Sequence, residues 1–442
     1  RSEVCGKKYL CVQSVGLDMV SRYLYEPFTP VKMGMRGCLI FLLLVLTVNT
    51  CGAQSSHSEC RKKVEEAMVK PIPGKVWIQL MKENEDNGPG FVYSDLNIFR
   101  MLNFMAVAGG QKARNAIASH FGYSTGRYCY DTLCTDLTAV TTPLQRNIHM
   151  MFSYFYSESF KHLARYKSRQ DTAVFCFSGS TQTFFVRDVE KNAKDFINER
   201  FKKKTGIERY LKKYLNDKTS FLIANGFKLD KAIFDDVETI SYRRLFTDLD
   251  GKKKNVVKWS KISTGTYQNK LINITGCPGG VNFYGVGIHN NEYWMLFFQP
   301  NFQSNDNISV KTECLNAIFP ELRKYINDLK NLRGPEKVGG EDFTLAIPDM
   351  SLLTYFDLKP SLISELPALF EKYGITNVYS DPDTLYELNM VAGFSIRDLF
   401  RGPVPDIGRI NARITTPFVF TLVDSASNVI LKSGAYLRGQ NF

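Results

Sequence analysis

The sequence contains no His-Glu-x-x-His, no Gly-x-Ser-x-Gly elbow and no Gly-x-x-x-x-Gly-Lys phosphate loop. Those absences remove common metalloprotease, hydrolase and nucleotide-binding signatures. Histidine is scarce, and His57, His120, His149, His162 and His289 show no metal-ligand spacing. Gly285-Val286-Gly287 lacks the third glycine of a dinucleotide fingerprint and reads as a turn or bulge. Asp248-Leu249-Asp250-Gly251 is too short for a calcium loop and reads as a turn. No catalysis, no metal and no cofactor are expected. There is no internal repeat and no low-complexity linker. No apolar run reaches the about 20 residues a membrane-crossing helix needs.

What is present is the material of a large core. The chain has 442 residues, 44% hydrophobic, 13% aromatic and 23% charged, with a net charge of +12. Arg36 precedes the apolar run Cys38–Val48, and Cys51-Gly52-Ala53 places small residues where a signal peptidase cuts. Residues 33–53 therefore read as a secretory signal peptide, with residues 1–32 an upstream leader outside the fold. Cleavage after Ala53 leaves residues 54–442 as one domain. It removes six Lys/Arg and three Asp/Glu, which lowers the charge from +12 to about +9. Cys60, Cys129, Cys134, Cys176, Cys277 and Cys314 remain, enough for three disulfides in a secreted chain. Sequence cannot choose among the 15 connectivities. The first pairing expected is Cys129 with Cys134. Asn273-Ile-Thr275 and Asn307-Ile-Ser309 are glycosylation sequons.

Periodicity organises the rest. Leu96 to Ala108 predicts a largely buried helix, with Ser94 and Asp95 as N-caps and Gly109-Gly110 as its stop. A second helix is predicted from Arg114 to Phe121. Phe184 to Val186 and Ser220 to Phe227 read as short strands, separated by a helix-rich stretch from Asp188 to Leu215. From Tyr242 to Phe302 the pattern is mostly β, and Glu292 to Phe298 is the clearest buried strand. Cys314 to Leu332 and Ser361 to Tyr373 read as helices, and Phe343 to Pro348 as a strand. Ile414 to Val423, a polar link of five residues from Asp424 to Asn428, and Val429 to Leu437 predict a buried β-hairpin. Helices and strands interleave without a βαβ rhythm, so the fold class expected is α+β in a single domain.

Several of these stretches, in this order, resemble the serpin family. Ser94-Asp-Leu-Asn-Ile-Phe-Arg-Met-Leu-Asn-Phe-Met with Gly109 to Ile117 resembles its early helix pair. Phe196 to Leu211 resembles the serpin pattern Ile-Asn-x-Trp-Val-x-x-x-Thr-x-Gly-x-Ile, and Phe221-Leu-Ile-Ala-Asn225 the strand that follows. Trp294 to Pro300, Ile347 to Met350, Tyr355 to Leu358 and Phe370 to Ser380 resemble later elements. Thr416-Pro-Phe-Val-Phe420 and its hairpin resemble the C-terminal signature. The resemblance implies helices around three β-sheets, with the C-terminal hairpin in a buried sheet. Two departures stand out. Asn225-Gly-Phe-Lys-Leu-Asp230 lacks the family's Phe-Lys-Gly-x-Trp. Only 28 residues, 389–416, separate Leu388 from Pro417, and they hold no small-residue hinge but do hold Pro403 and Pro405. Proline cannot donate to a ladder, which opposes insertion into a central strand.

The function expected is therefore a secreted, non-inhibitory serpin-like binding protein, with an extracellular protein or a small apolar ligand as partner. The competing expectation is an extracellular serine-protease inhibitor acting through a suicide-substrate loop. Arg397, Arg401 and Arg409, with Arg413, are its candidate bait residues against the plainer reading of solvated loop arginines. Arg200, Lys202, Lys203, Lys204, Lys212 and Lys213, with Arg209 and Lys252 to Lys254, form a candidate site for a sulfated glycosaminoglycan. The alternative there is a solvated helix face. No nucleic acid and no membrane partner is expected, and the chain is expected to be a monomer.

Overall fold

A computed structural model describes most residues of 59–157, 221–229, 237–329, 343–349, 388–391 and 410–439, with Cys176 and 180–184. The chain divides into two compact units, Arg1–Ser55 and Ser56–Phe442, and every described residue belongs to the second. After a helical segment at 59–68 come α1 (Gly74–Glu85), β1 (Gly90–Tyr93), α2 (Asp95–Ala108), α3 (Arg127–Thr141) and β2 (Ile148–Ser157). Next are β3 (Ser180–Phe184), β4 (Phe221–Leu229), β5 (Val237–Thr247), β6 (Lys253–Thr264), β7 (Tyr267–Ile272), β8 (Val281–Ile288) and β9 (Tyr293–Pro300). The remainder are α4 (Ile308–Leu329), β10 (Phe343–Pro348), β11 (Leu388–Val391), β12 (Ala412–Arg413), β13 (Phe418–Asp424) and β14 (Ile430–Tyr436). The class is α+β, with three sheets of mostly antiparallel strands.

The six-stranded sheet has the order β1-β14-β13-β9-β8-β7. Its middle is the apolar hairpin at the far end of the sequence: every residue of β13 and β14 is buried, as is every residue of β9. The link between them is a tight turn. The Asp424 carboxylate accepts from the Ser427 N–H at 2.8 Å, and Asn428 takes a φ of 56°, a conformation asparagine tolerates. Alternation along the strands gives the sheet two apolar faces. On one, Trp77 of α1 stacks on Phe319 of α4 at 4.7 Å and meets Phe91 of β1 edge-on at 5.0 Å, while Tyr325 of α4 packs on Phe283 and Phe298. On the other, Tyr436 and Phe418 stack, and Phe246 of β5 meets Tyr436 at 5.2 Å. A four-stranded sheet, β12-β10-β6-β5, thus covers that second face.

At Gly434, between β1 and β13, a side chain has no room. A Cβ there would collide with the Phe91 carbonyl oxygen and stand 2.7 Å from Phe420 Cζ. Gly434→Ala is expected to cost about 2 kcal/mol through overpacking, read as a lowered midpoint in urea.

The predicted buried helix is α2. Ser94 caps it, its Oγ accepting from Asn97 N–H at 3.2 Å while donating to the Leu431 carbonyl of β14 at 2.8 Å. The capping hydroxyl therefore also docks the helix on the sheet. Several boundaries differ from the sequence reading; β5, for one, starts at Val237, five residues before the β region was read to begin. β3 ends at Phe184, where the reading began its strand, and β4 runs on to Leu229. α4 starts at Ile308, six residues early, because Asn307 caps it: its Oδ1 accepts from Val310 N–H at 3.0 Å. The helices expected at 188–215 and 361–373 lie outside the described residues.

Candidate functional site

The interval the sequence singles out is held at both ends by parallel strand pairs in two different sheets. Upstream, β11 pairs in parallel with β4, Leu388 opposite Phe221 and Val391 opposite Ala224, in a sheet ordered β11-β4-β2-β3. Downstream, β12 pairs in parallel with β10, Ala412 opposite Leu345 and Arg413 opposite Ala346. The downstream anchor is densely bonded. Asn411 N–H donates to the Thr344 carbonyl at 2.9 Å, and its side-chain oxygen accepts from Thr344 N–H at 2.8 Å. Ile414 N–H reaches the Ala346 carbonyl at 3.0 Å, Ile414 is buried, and Gln299 Nε2 donates to Thr416 Oγ1 at 2.9 Å. Arg413 is exposed but sits in β12, so it is a sheet residue and not a bait-loop one. Arg397, Arg401 and Arg409 lie outside the described residues.

The basic run is divided in the same way. Arg200, Lys202, Lys203, Lys204, Arg209, Lys212 and Lys213 lie outside the described residues, whereas Lys252 to Lys254 leave the turn between β5 and β6. That turn is Asp248 to Gly251, with Gly251 at a φ of 84° and its N–H on the Asp248 carbonyl at 2.9 Å. Two of its lysines are already paired: Lys252 Nζ lies 3.0 Å from Asp250 Oδ2, and Lys254 Nζ 2.9 Å from Asp248 Oδ2. Burial pulls the Asp250 carboxyl upward, but hydrogen bonds from Lys252 and the charges of Lys252 and Arg438 outweigh it and hold the group below its ordinary value. Lys253 is exposed, with no carboxylate partner among the described residues.

This turn belongs to a polar junction that no motif announces. The buried Asp248 accepts from Gly439 N–H at 2.7 Å through Oδ1, and Leu249 N–H donates to the Leu437 carbonyl at 3.0 Å. Lys311 of α4 is buried, its Nζ 3.2 Å from the Leu249 carbonyl and 5.8 Å from the centre of the Phe302 ring. Arg438, also buried, donates to the carbonyls of Asn84 at 3.0 Å, Gly88 at 3.1 Å and Glu85. The Asn84 carbonyl also accepts from the Gly88 N–H at 3.1 Å, so Arg438 is a second donor there and serves the Glu85 and Gly88 carbonyls where α1 ends.

With this geometry in hand, the structure matches that of native protease nexin-1, solved with heparin, at a TM-score of 0.54. The match covers 86% of this chain and 99% of that one, at 14% sequence identity. The chain has the serpin fold. No family model matches the sequence, and no curated protein does. Resemblances quoted from the sequence fall on described strands of that serpin fold: Phe221–Asn225 in β4, Trp294–Pro300 in β9 and Phe418–Phe420 in β13.

The remaining site residues decorate the serpin fold. Asn273 and Asn307 are both exposed, the first just after β7 and the second at the N-cap of α4. The expected Cys129–Cys134 bridge is replaced by Cys134–Cys176, with Cα atoms 5.1 Å apart. Both expected partners lie on α3, and positions five apart on a helix are about 140° apart around its axis. A second bridge joins Cys277 to Cys314 in the second turn of α4, and Cys60 is also disulfide-bonded.

Proposed function

We propose that this chain is a secreted, glycosylated member of the serpin superfamily that holds a partner and does not trap proteases. In this reading residues 1–32 are a leader, 33–53 a signal peptide and 54–442 the working domain. The observation that carries it is the content of 392–411, the whole connection from β11 to β12, with Pro403, Pro405 and no small-residue hinge. Disulfides support an oxidising, extracellular compartment. The partner is an extracellular protein or a small apolar ligand. Incubation with a panel of trypsin-like and chymotrypsin-like proteases is expected to give cleavage or nothing. An SDS-stable band at the summed mass would sink the proposal.

One observation favours the second reading, an extracellular inhibitor of serine endopeptidases. β4 and β11 are parallel neighbours, so a segment leaving β11 and turning back would run antiparallel to both. Arg397, Arg401 and Arg409 would then be its bait residues.

The basic residues supply a further proposed contact. Heparin accompanies protease nexin-1 in its structure, and Arg200, Lys202, Lys203, Lys204, Lys212 and Lys213 are the proposed contacts for a sulfated glycosaminoglycan here. Retention on immobilised heparin should fall steeply with salt, since exposed charges are screened. Replacing Lys202, Lys203 and Lys204 by Ala should lower the eluting salt concentration. An elution position untouched by the triple substitution removes this contact.

A further inference from the structure

β7 closes one side of the six-stranded sheet, and among the described residues it pairs only with β8. Such an edge is a template for pairing with another chain unless something blocks it. The usual blocks are missing from Tyr267–Ile272: it contains no proline, and its register with β8 has no bulge. Its one charge does not stand guard either. Lys270 lies back over the α4 side of the sheet, its Nζ 5.6 Å from the Phe283 ring centre and 5.5 Å from that of Tyr325. The opposite side of the strand presents Leu271, which is 64% exposed.

Exposure alternates straight through the end of the strand: Leu271 out, Ile272 in, Asn273 out, Ile274 in, Thr275 out. Asn273 therefore stands on the same side as Leu271, about 7 Å further along. Its place is fixed, because Ile274 is buried and its carbonyl accepts from the N–H of disulfide-bonded Cys277 at 2.9 Å. The sequon is thus presented at the rim of the open edge.

We propose that an N-linked glycan on Asn273 guards this edge, covering Leu271 and barring a second copy of the chain from pairing with β7. The inference rests on the export proposed above. It also assigns the two sequons different work, since Asn307 caps a helix.

The test uses protein secreted from a eukaryotic host, with N-terminal sequencing, glycopeptide mass measurement and light scattering across a hundredfold range of concentration. Thr275→Ala removes the first sequon while keeping Asn273, and Ser309→Ala removes the second while keeping the Asn307 cap. Wild type and Ser309→Ala should stay monomeric. Thr275→Ala should self-associate at concentrations at least tenfold lower, and Leu271→Lys added to it should restore the monomer. Enzymatic deglycosylation of folded wild type should reproduce the Thr275→Ala result even if that variant is poorly secreted. A secreted chain with bare Asn273, a deglycosylated chain that stays monomeric, or association that Leu271→Lys leaves in place would each overturn the guard alone. A chain retained in the cell with residues 33–53 attached overturns the export reading and the guard with it.

Discussion

A single cut between Arg397 and Arg409 is expected to leave the melting temperature flat or slightly lower. The alternative outcome, a large rise, requires the freed segment to enter the sheet beside β4 as a new strand. β4 has nine residues, about 30 Å of strand. A cut after Arg401 frees ten residues, 392–401, and about three of them are spent reversing direction after β11. The rest would bring Arg397, Asp398 and Arg401 between two strands, where an unpaired charge is costly to bury. A cut after Arg409 frees a longer segment, but Pro403 and Pro405 then leave two ladder positions without donors. A nick in a segment unable to insert only loosens the chain. Melting curves of intact and nicked protein, run side by side, decide the matter. A large gain in the nicked form would show that the interval does insert and that the protein is an inhibitor.

Arg438→Ala should be among the most damaging single substitutions, costing about 4 kcal/mol. The side chain is buried and serves the carbonyls of Asn84, Glu85 and Gly88. Removing it strands the Glu85 and Gly88 carbonyls, each worth about 1–3 kcal/mol when left unpaired, and takes one of two donors from the Asn84 carbonyl, which keeps the Gly88 N–H. Arg438→Lys should recover only part of the loss, about 2 kcal/mol, because one ammonium cannot span what a planar guanidinium fork spans. Denaturant unfolding of the two variants against wild type measures both. If Arg438→Ala matches wild type, the junction at the end of α1 contributes nothing to stability.

How much of this was legible depends on the kind of signal. β9, β10 and the hairpin of β13 and β14 could be read because buried strands need unbroken apolar, β-favouring runs, and such runs survive in a single sequence. α2 could be read because its cap and its stop are local. The start of α4 was missed for a physical reason: Asn307 is both a sequon and an N-cap, and the polar residues around it look like loop. The disulfides escaped because spacing says nothing about where Cys176 lies relative to α3. The junction of Arg438, Asp248 and Lys311 left no periodic trace, since its members are scattered over hundreds of positions. The candidate site divides likewise. Its anchors were not read, because β11 has four residues and β12 two, too short to show a period, and the bait and polyanion residues rest on composition, which carries no geometry.

The order of strands in the six-stranded sheet has a consequence for biogenesis. β1 is made early and pairs with β14, more than 330 positions later, with Gly90 opposite Tyr436 and Tyr93 opposite Ser433. β9 likewise waits for β13, Phe298 opposite Val419. During synthesis the ribosome must therefore deliver nearly everything else before the middle of this sheet can exist. Until then Phe91 of β1 has no neighbouring strand in this sheet, and Trp294, Phe297 and Phe298 of β9 have β8 on one side only. Contacts so distant in sequence form slowly, and a nascent chain holding unpaired, greasy strands depends on chaperones to avoid aggregation. A premature stop shortly before Phe418 would release a polypeptide that keeps most of its residues yet lacks the two strands that make them one sheet.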